Sequence, residues 1–244
     1  MIIEFYNEAH LGDNVYHLNF LRKLVHLTDD NFVYYVKSDY LDELNKHILG
    51  YEDSISLRSL NERRSTAINA WIGEIYYQHP NKFMYDKFYI DWFNYLTNKI
   101  YNKDMNIDMY SDYLLLSAKV PGYDILVVNS IPYSGQFEKQ TELLDDVIKK
   151  LSKRYHIITT KKVDDIECTL DKELSLLDIG VLSVNSNNII AIDTGPHSVC
   201  INKWTMQNVN SWIVAHNTNS FSFNNIRHAR NLNELKEAIY EVYL

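Results

Sequence analysis

The chain has 244 residues, 46% hydrophobic and 23% charged, a composition that fits a folded globular protein and excludes a disordered one. Its 24 basic and 32 acidic residues leave a net charge of −8 with no long run of like charge, which argues against a dedicated binder of nucleic acid or of anionic membranes. No apolar stretch approaches the roughly 20 residues that a membrane span needs. The amino terminus also lacks the layout of a signal peptide, so a soluble, cytoplasmic protein with no integral membrane segment is expected.

The apolar run Met1–Tyr6 predicts a first strand. It leads into a tight turn around Gly12 and an amphipathic helix whose apolar residues Val15, Leu18, Leu21 and Val25 recur at spacings of three and four. Asp13 lies at the start of that helix, where the positive end of the macrodipole favours the carboxylate anion. It is therefore a candidate general base, with helix capping as the alternative reading. Phe32–Val36 and Ser54–Leu57 predict two further strands, with Ser38 or Asp39 capping a short helix between them.

From about Asn61 to Asn102 the pattern becomes helical and rich in aromatics, among them Trp71, Tyr76, Tyr77, Phe83, Tyr89, Trp92 and Phe93. Most are expected in the core, and a minority could stack on sugar rings. Asp104, Asp108 and Asp112 recur every four residues and are read as a solvated helix face. Pro121–Gly122 is the clearest punctuation, so the expected domains are residues 1–120 and 121–244.

A second alternation of strand and helix follows. Strands are predicted at Ile125–Val128, His156–Thr160, Ile189–Ile192 and Trp212–Ala215. Helices are predicted on Leu143–Leu151, on a capping box of Ser175 with Asp178, and on Leu232–Val242. Such alternation predicts parallel sheets, and two units in series predict a cleft between them. Cys168 and Cys200 are too few for a disulfide framework or a four-ligand zinc site and are expected as reduced, buried thiols. Abundant Tyr and Asn with only 7 Gly and 4 Pro fit A+T-rich coding, as in a large DNA virus.

The second informative segment is Ile192-Asp193-Thr194-Gly195-Pro196-His197-Ser198, at the carboxyl end of an apolar strand. In open α/β sheets ligands bind at that edge, and amides at a helix start can hold a phosphate without net basic charge. Thr194 adds a hydroxyl, Gly195 permits close approach, and Pro196 suits a first helical turn. Either His197 or Ser198 could face the ligand.

His10-Leu11-Gly12-Asp13-Asn14-Val15, followed by an apolar helix and later by Asp193-Thr194-Gly195-Pro196-His197, resembles the heptosyltransferase-like glycosyltransferases. The resemblance implies an α/β GT-B-like fold of two Rossmann-like domains with parallel sheets facing across a cleft, the acceptor on the first and the nucleotide-sugar donor on the second. It implies transfer of a sugar to a glycan or other hydroxyl acceptor without a metal cofactor, with Asp13 as catalytic base. Donor contacts fall on Gly12, Asn14, Ser130, Gln136, Asp193, Thr194, Gly195, His197 and Ser198, and an acceptor contact on His10. The chain departs from the family where a basic residue usually follows the Val127-Val128-Asn129 strand. Here Ser130 and Gln136 stand nearby and Lys139 is the nearest cation. His197 also follows Pro196 without the usual intervening residue.

A single base and no second nucleophile predict inversion at the sugar. No Asp-x-Asp triplet, glycine-rich phosphate loop, His-Glu-x-x-His pair or nucleophile elbow occurs. The competing reading is a catalytically silent nucleotide- or glycan-binding module of the same fold.

Overall fold

Strand pairing is parallel throughout the two sheets, so the carboxyl ends of each sheet's strands share one edge. The computed structural model describes all residues except 73–84, 112–121, 133–136, 138, 217–220, 222, 224 and the side chain of Tyr85. It divides into two units, Met1–Tyr110 and Ser111–Leu244. Pro121, expected at the boundary, lies outside the described residues, as do Tyr76, Tyr77, Phe83 and Asp112.

In the first unit β1 (Ile2–Tyr6), β2 (Asn31–Val36), β3 (Ile55–Ser59) and β4 (Ile68–Asn69) form a sheet in the order β3-β2-β1-β4. The chain moves outward from β1 to β3 and then returns to β1's other side, so the strand order reverses between β1 and β4. That reversal is where open α/β sheets form a ligand crevice. Helix α1 (Leu11–Leu27) is buried on nearly all sides, and the polar residues between its apolar ones hydrogen-bond within the unit. Asn14 receives the Tyr34 hydroxyl at 2.8 Å, Asn19 donates to the Met109 carbonyl at 2.9 Å, and Arg22 donates to the His47 carbonyl at 2.9 Å.

The short helix α2 (Leu41–Asn45) and the long aromatic helix α3 (Tyr85–Tyr101) complete the first unit. Phe20 of α1 stands edge-on to Phe5 at 6.2 Å and stacks on Phe93 of α3 at 4.4 Å, binding both helices to the sheet. Each such buried ring contributes on the order of 1.5–3 kcal/mol of transfer free energy. Asp104 and Asp108, expected on a helix face, do not lie in a helix. The segment is irregular, Asn102 and Asn106 adopt left-handed φ angles of 53° and 51°, and Asp108 pairs with Lys23.

In the second unit β5 (Tyr123–Val128), β6 (Ile157–Thr159), β7 (Ser186–Ile192), β8 (Ser211–Ala215) and β9 (Ile226–Ala229) run in the order β6-β5-β7-β8-β9. Here the order reverses between β5 and β7. Alternate residues Ile125, Val127, Ile190, Ile192, Ile213 and Ala215 face the apolar stripes of α4 (Asp145–Ser152) and α7 (Leu232–Tyr243). The opposite parity faces α5 (Leu176–Val184), which packs on β5 and β7. Sheet residues are thus buried on both faces, as their near-continuous apolar runs require. The expected capping box opens α5, with Ser175 accepting from the Asp178 amide and Asp178 accepting from the Ser175 amide. Cys168 and Cys200 are buried free thiols, and burial raises the Cys200 thiol to about 12. Among the described residues no helix is long and apolar enough to cross a membrane.

Candidate functional site

The first cluster lies past the carboxyl end of β1. Asn7 is fully buried, and its side-chain oxygen accepts from the Ala9 amide at 2.8 Å, which shapes the turn into α1. The helix begins at Leu11 with His10 as the N-cap, so Gly12 sits inside the first helical turn and not in a tight turn before it. The His10 side chain is exposed and makes no capping bond. Asp13 is half-buried in that first turn, and its Oδ1 receives the hydroxyl of Tyr89 from α3 at 2.8 Å.

Buried polar side chains stand close to Asp13. The Asp13 carbonyl lies 2.9 Å from Nδ1 of His17, whose imidazole burial pulls down to about 4 and so keeps neutral near pH 7. Burial raises the Tyr34 phenol well above its ordinary value, so it stays a donor to Asn14. Asn14 in turn donates to the His10 carbonyl at 2.8 Å. Gly12 and Asn14 are both buried, with the Asn14 side chain engaged in holding the turn.

The second cluster lies past the carboxyl ends of β5 and β7, at the second unit's reversal of strand order. After β5, the Asn129 and Ser130 amides both donate to the Thr160 hydroxyl, at 3.0 and 3.1 Å. The Ser130 hydroxyl also donates to it, at 2.7 Å. Asn129 Oδ1 accepts from the Thr160 and Lys161 amides at 3.1 and 2.8 Å, tying the end of β5 to the end of β6. This brings Lys161 close in the fold to Ser130, whereas in the sequence Lys139 is the nearer cation. Lys161 Nζ donates to the Thr141 hydroxyl at 3.0 Å. Gln136 lies outside the described residues.

After β7, Thr194 is the N-cap of α6 (Gly195–Ser198), which is a single turn. So short a helix has little macrodipole. Pro196 has no N–H, and the His197 and Ser198 amides donate to the Thr194 carbonyl at 2.9 and 3.2 Å. The Thr194 hydroxyl donates to the Ile192 carbonyl at 3.3 Å, which leaves the Gly195 amide as the donor that the turn offers to an anion. Asp193 bridges two imidazoles, with Oδ1 2.9 Å from His197 Nδ1 and Oδ2 2.5 Å from His216 Nε2. Burial opposes the charge of Asp193, and His216 and His197 more than offset that opposition, holding the carboxyl well below the usual carboxylate range. His197 is fully buried, edge-on to Trp212 at 5.6 Å and Phe221 at 5.7 Å, and Ser198 is buried beside it. The side chain of neither residue stands open at the sheet edge.

Tyr89 and His216 were not singled out as site residues by the sequence. His216 carried one usable signal, a titratable residue directly after an apolar strand, in the place that Asp193 holds after β7. The Tyr89–Asp13 contact carried none, because it joins positions 76 apart. Among the described residues no group of three or more His, Cys, Asp or Glu side chains could hold a metal ion.

Two Rossmann-like parallel sheets in series, with polar turns at their carboxyl edges, define an α/β fold of the GT-B-like class. Solved structures share it. Escherichia coli heptosyltransferase WaaC, solved with ADP-2-deoxy-2-fluoro heptose, matches with a TM-score of 0.59 and 10% identity over 99% of both chains. The family 9 glycosyltransferase from Veillonella parvula matches at 0.50 and 12% identity, over 100% of this chain and 91% of that one. TibC of enterotoxigenic E. coli, an iron-containing dodecameric glycosyltransferase, matches at 0.52 and 10% identity; 93% of this chain covers 61% of TibC. No protein-family model matches the chain, and no curated protein sequence does.

Proposed function

We propose that the chain is an inverting glycosyltransferase that moves a sugar from a nucleotide-sugar donor to a glycan or other hydroxyl acceptor. The observation that carries this reading is the placement of Asp13: a half-buried carboxylate just past β1, beside a strand-order reversal, in a fold shared with heptosyltransferase structures. In this reading Asp13 takes the proton of the acceptor hydroxyl as the oxygen bonds to the anomeric carbon. The bond from that carbon to the donor's diphosphate breaks on the opposite face, and its electron pair leaves with the diphosphate. One displacement without a covalent sugar intermediate inverts the anomeric centre.

The turn from Asp193 to Ser198 supports holding the diphosphate. The Gly195 amide supplies one donor, and the Thr194 hydroxyl supplies a second by turning away from the Ile192 carbonyl, while the Asp193–His197 contact holds the turn. Ser130 is the corresponding group on the neighbouring strand end. The reading requires no metal, in keeping with the absence of an Asp-x-Asp triplet. Its dependence on a nucleotide sugar fits a cytoplasmic protein with reduced thiols.

The test is a panel of nucleotide sugars and simple glycan acceptors, followed by nucleoside diphosphate release and by NMR of the product anomer. Release that depends on acceptor, with inverted configuration, supports the reading. Thermal stabilisation by a nucleoside diphosphate without turnover of any donor would identify a silent binding module instead.

A further inference from the structure

We infer that Tyr89 is the positioning residue of Asp13, its hydroxyl donating to Oδ1 at 2.8 Å and so fixing how the carboxylate is presented. The inference rests on Asp13 being the base. Tyr89 is fully buried, edge-on to Tyr16 at 4.9 Å and tilted against Phe93 at 5.5 Å, and Phe93 is stacked on Phe20. The ring is therefore fixed by the core of the first unit, and the hydroxyl keeps only rotation about its C–O bond.

An aspartate at the third position of a helix has another use, which this same protein displays. Asp178 stands there in α5 and turns back to accept from the Ser175 amide at 2.9 Å and the Ser175 hydroxyl at 2.6 Å. In α1 the N-cap is His10, with no side-chain cap, and the carboxylate of Asp13 accepts from a phenol on a different helix. The contact anchors one oxygen of a half-buried side chain to the core of the first unit. That is the form of preorganisation a single-displacement base needs, since small misplacements of a catalytic group cost large factors in rate.

The contact also acts on ionisation. A hydrogen bond donated to a carboxylate favours its anion, so removing the hydroxyl makes Asp13 hold its proton to higher pH. The basicity gained does not replace the lost orientation, because general-base efficiency changes only fractionally with base strength.

The experiment is Tyr89→Phe, which keeps the ring in the core, with Tyr95→Phe on the exposed side of the same helix as control. Folding is checked by circular dichroism. Expected for Tyr89→Phe are a kcat about tenfold lower, a donor KM within about twofold of wild type, and an acid limb of the kcat–pH profile moved to higher pH. Tyr95→Phe should change none of these. An unmoved acid limb together with unchanged kcat overturns the inference. If the wild type transfers no sugar from any donor, the functional reading fails on its own. The inference is then judged by the 13C-carboxyl titration of Asp13, where a midpoint at higher pH in Tyr89→Phe sustains it and superimposed curves overturn it.

Discussion

Replacing Asp193 by Asn tests whether its carboxylate is the clamp of the β7 edge. Each oxygen now meets one imidazole, at 2.9 Å from His197 and 2.5 Å from His216. The amide keeps the shape but has one acceptor and one donor. It can still accept from His197, without charge assistance, which forfeits about 1 kcal/mol. Toward His216 its NH2 would meet an N–H, unless that imidazole moves its proton to Nδ1 and recovers a neutral bond. The second contact therefore costs about 1–2 kcal/mol, for a total loss of about 2–3 kcal/mol at neutral pH.

Urea unfolding followed by tryptophan fluorescence reads this loss, since Trp212 is fully buried against His197. The pH dependence has a definite sign. Because the folded carboxyl is held below its ordinary value, its stabilisation is complete above the unfolded value of about 3.9 and disappears as pH falls through the folded value. The gap between wild type and Asp193→Asn should thus be wide at pH 7 and should narrow only in strong acid. A variant within about 0.5 kcal/mol of wild type at pH 7 would refute the two-imidazole clamp.

The first unit should be acid-sensitive in a different window. His17 and His47 are both lowered to about 4 by burial, so the unfolded chain binds up to two more protons than the folded one between about 6.5 and 4. Stability should fall as pH drops through that range, and His17→Gln should reduce the slope by about one proton; an unchanged slope would contradict the assignment. On the second unit, Lys172 and Tyr123 hold Glu167 down to about 2. Glu167→Gln should be less stable than wild type above about pH 4.5, with the two converging as pH falls toward 2 in urea titrations.

Much of the fold was legible because parallel strands buried on both faces leave continuous apolar runs. Phe32–Val36, Ile125–Val128, Ile189–Ile192 and Trp212–Ala215 all announce themselves in this way, and each is a strand or part of one. The strands that went unread lack that signature. β4 is two residues long, inside a stretch expected to be helical, and β9, at the sheet edge, reads Ile-Arg-His-Ala. The four-residue spacing of Asp104 and Asp108 misled because periodicity without apolar partners does not hold a helix. Asp108 is placed instead by Lys23.

At the candidate site, Asp13 and the Asp193 turn were visible as polar residues following apolar strands. Their contacts were not. Whether His197 opened outward or inward depended on Trp212 and Phe221 closing over it, and Tyr89 reaches Asp13 only once α3 packs on α1.

The central claim is that Asp13 removes the acceptor proton, and the most direct measurement compares Asp13→Asn with wild type in donor binding and in single-turnover transfer. The account predicts donor affinity within about twofold of wild type and a transfer rate lower by about 100- to 10,000-fold. Transfer by Asp13→Asn at a rate near that of wild type would contradict it.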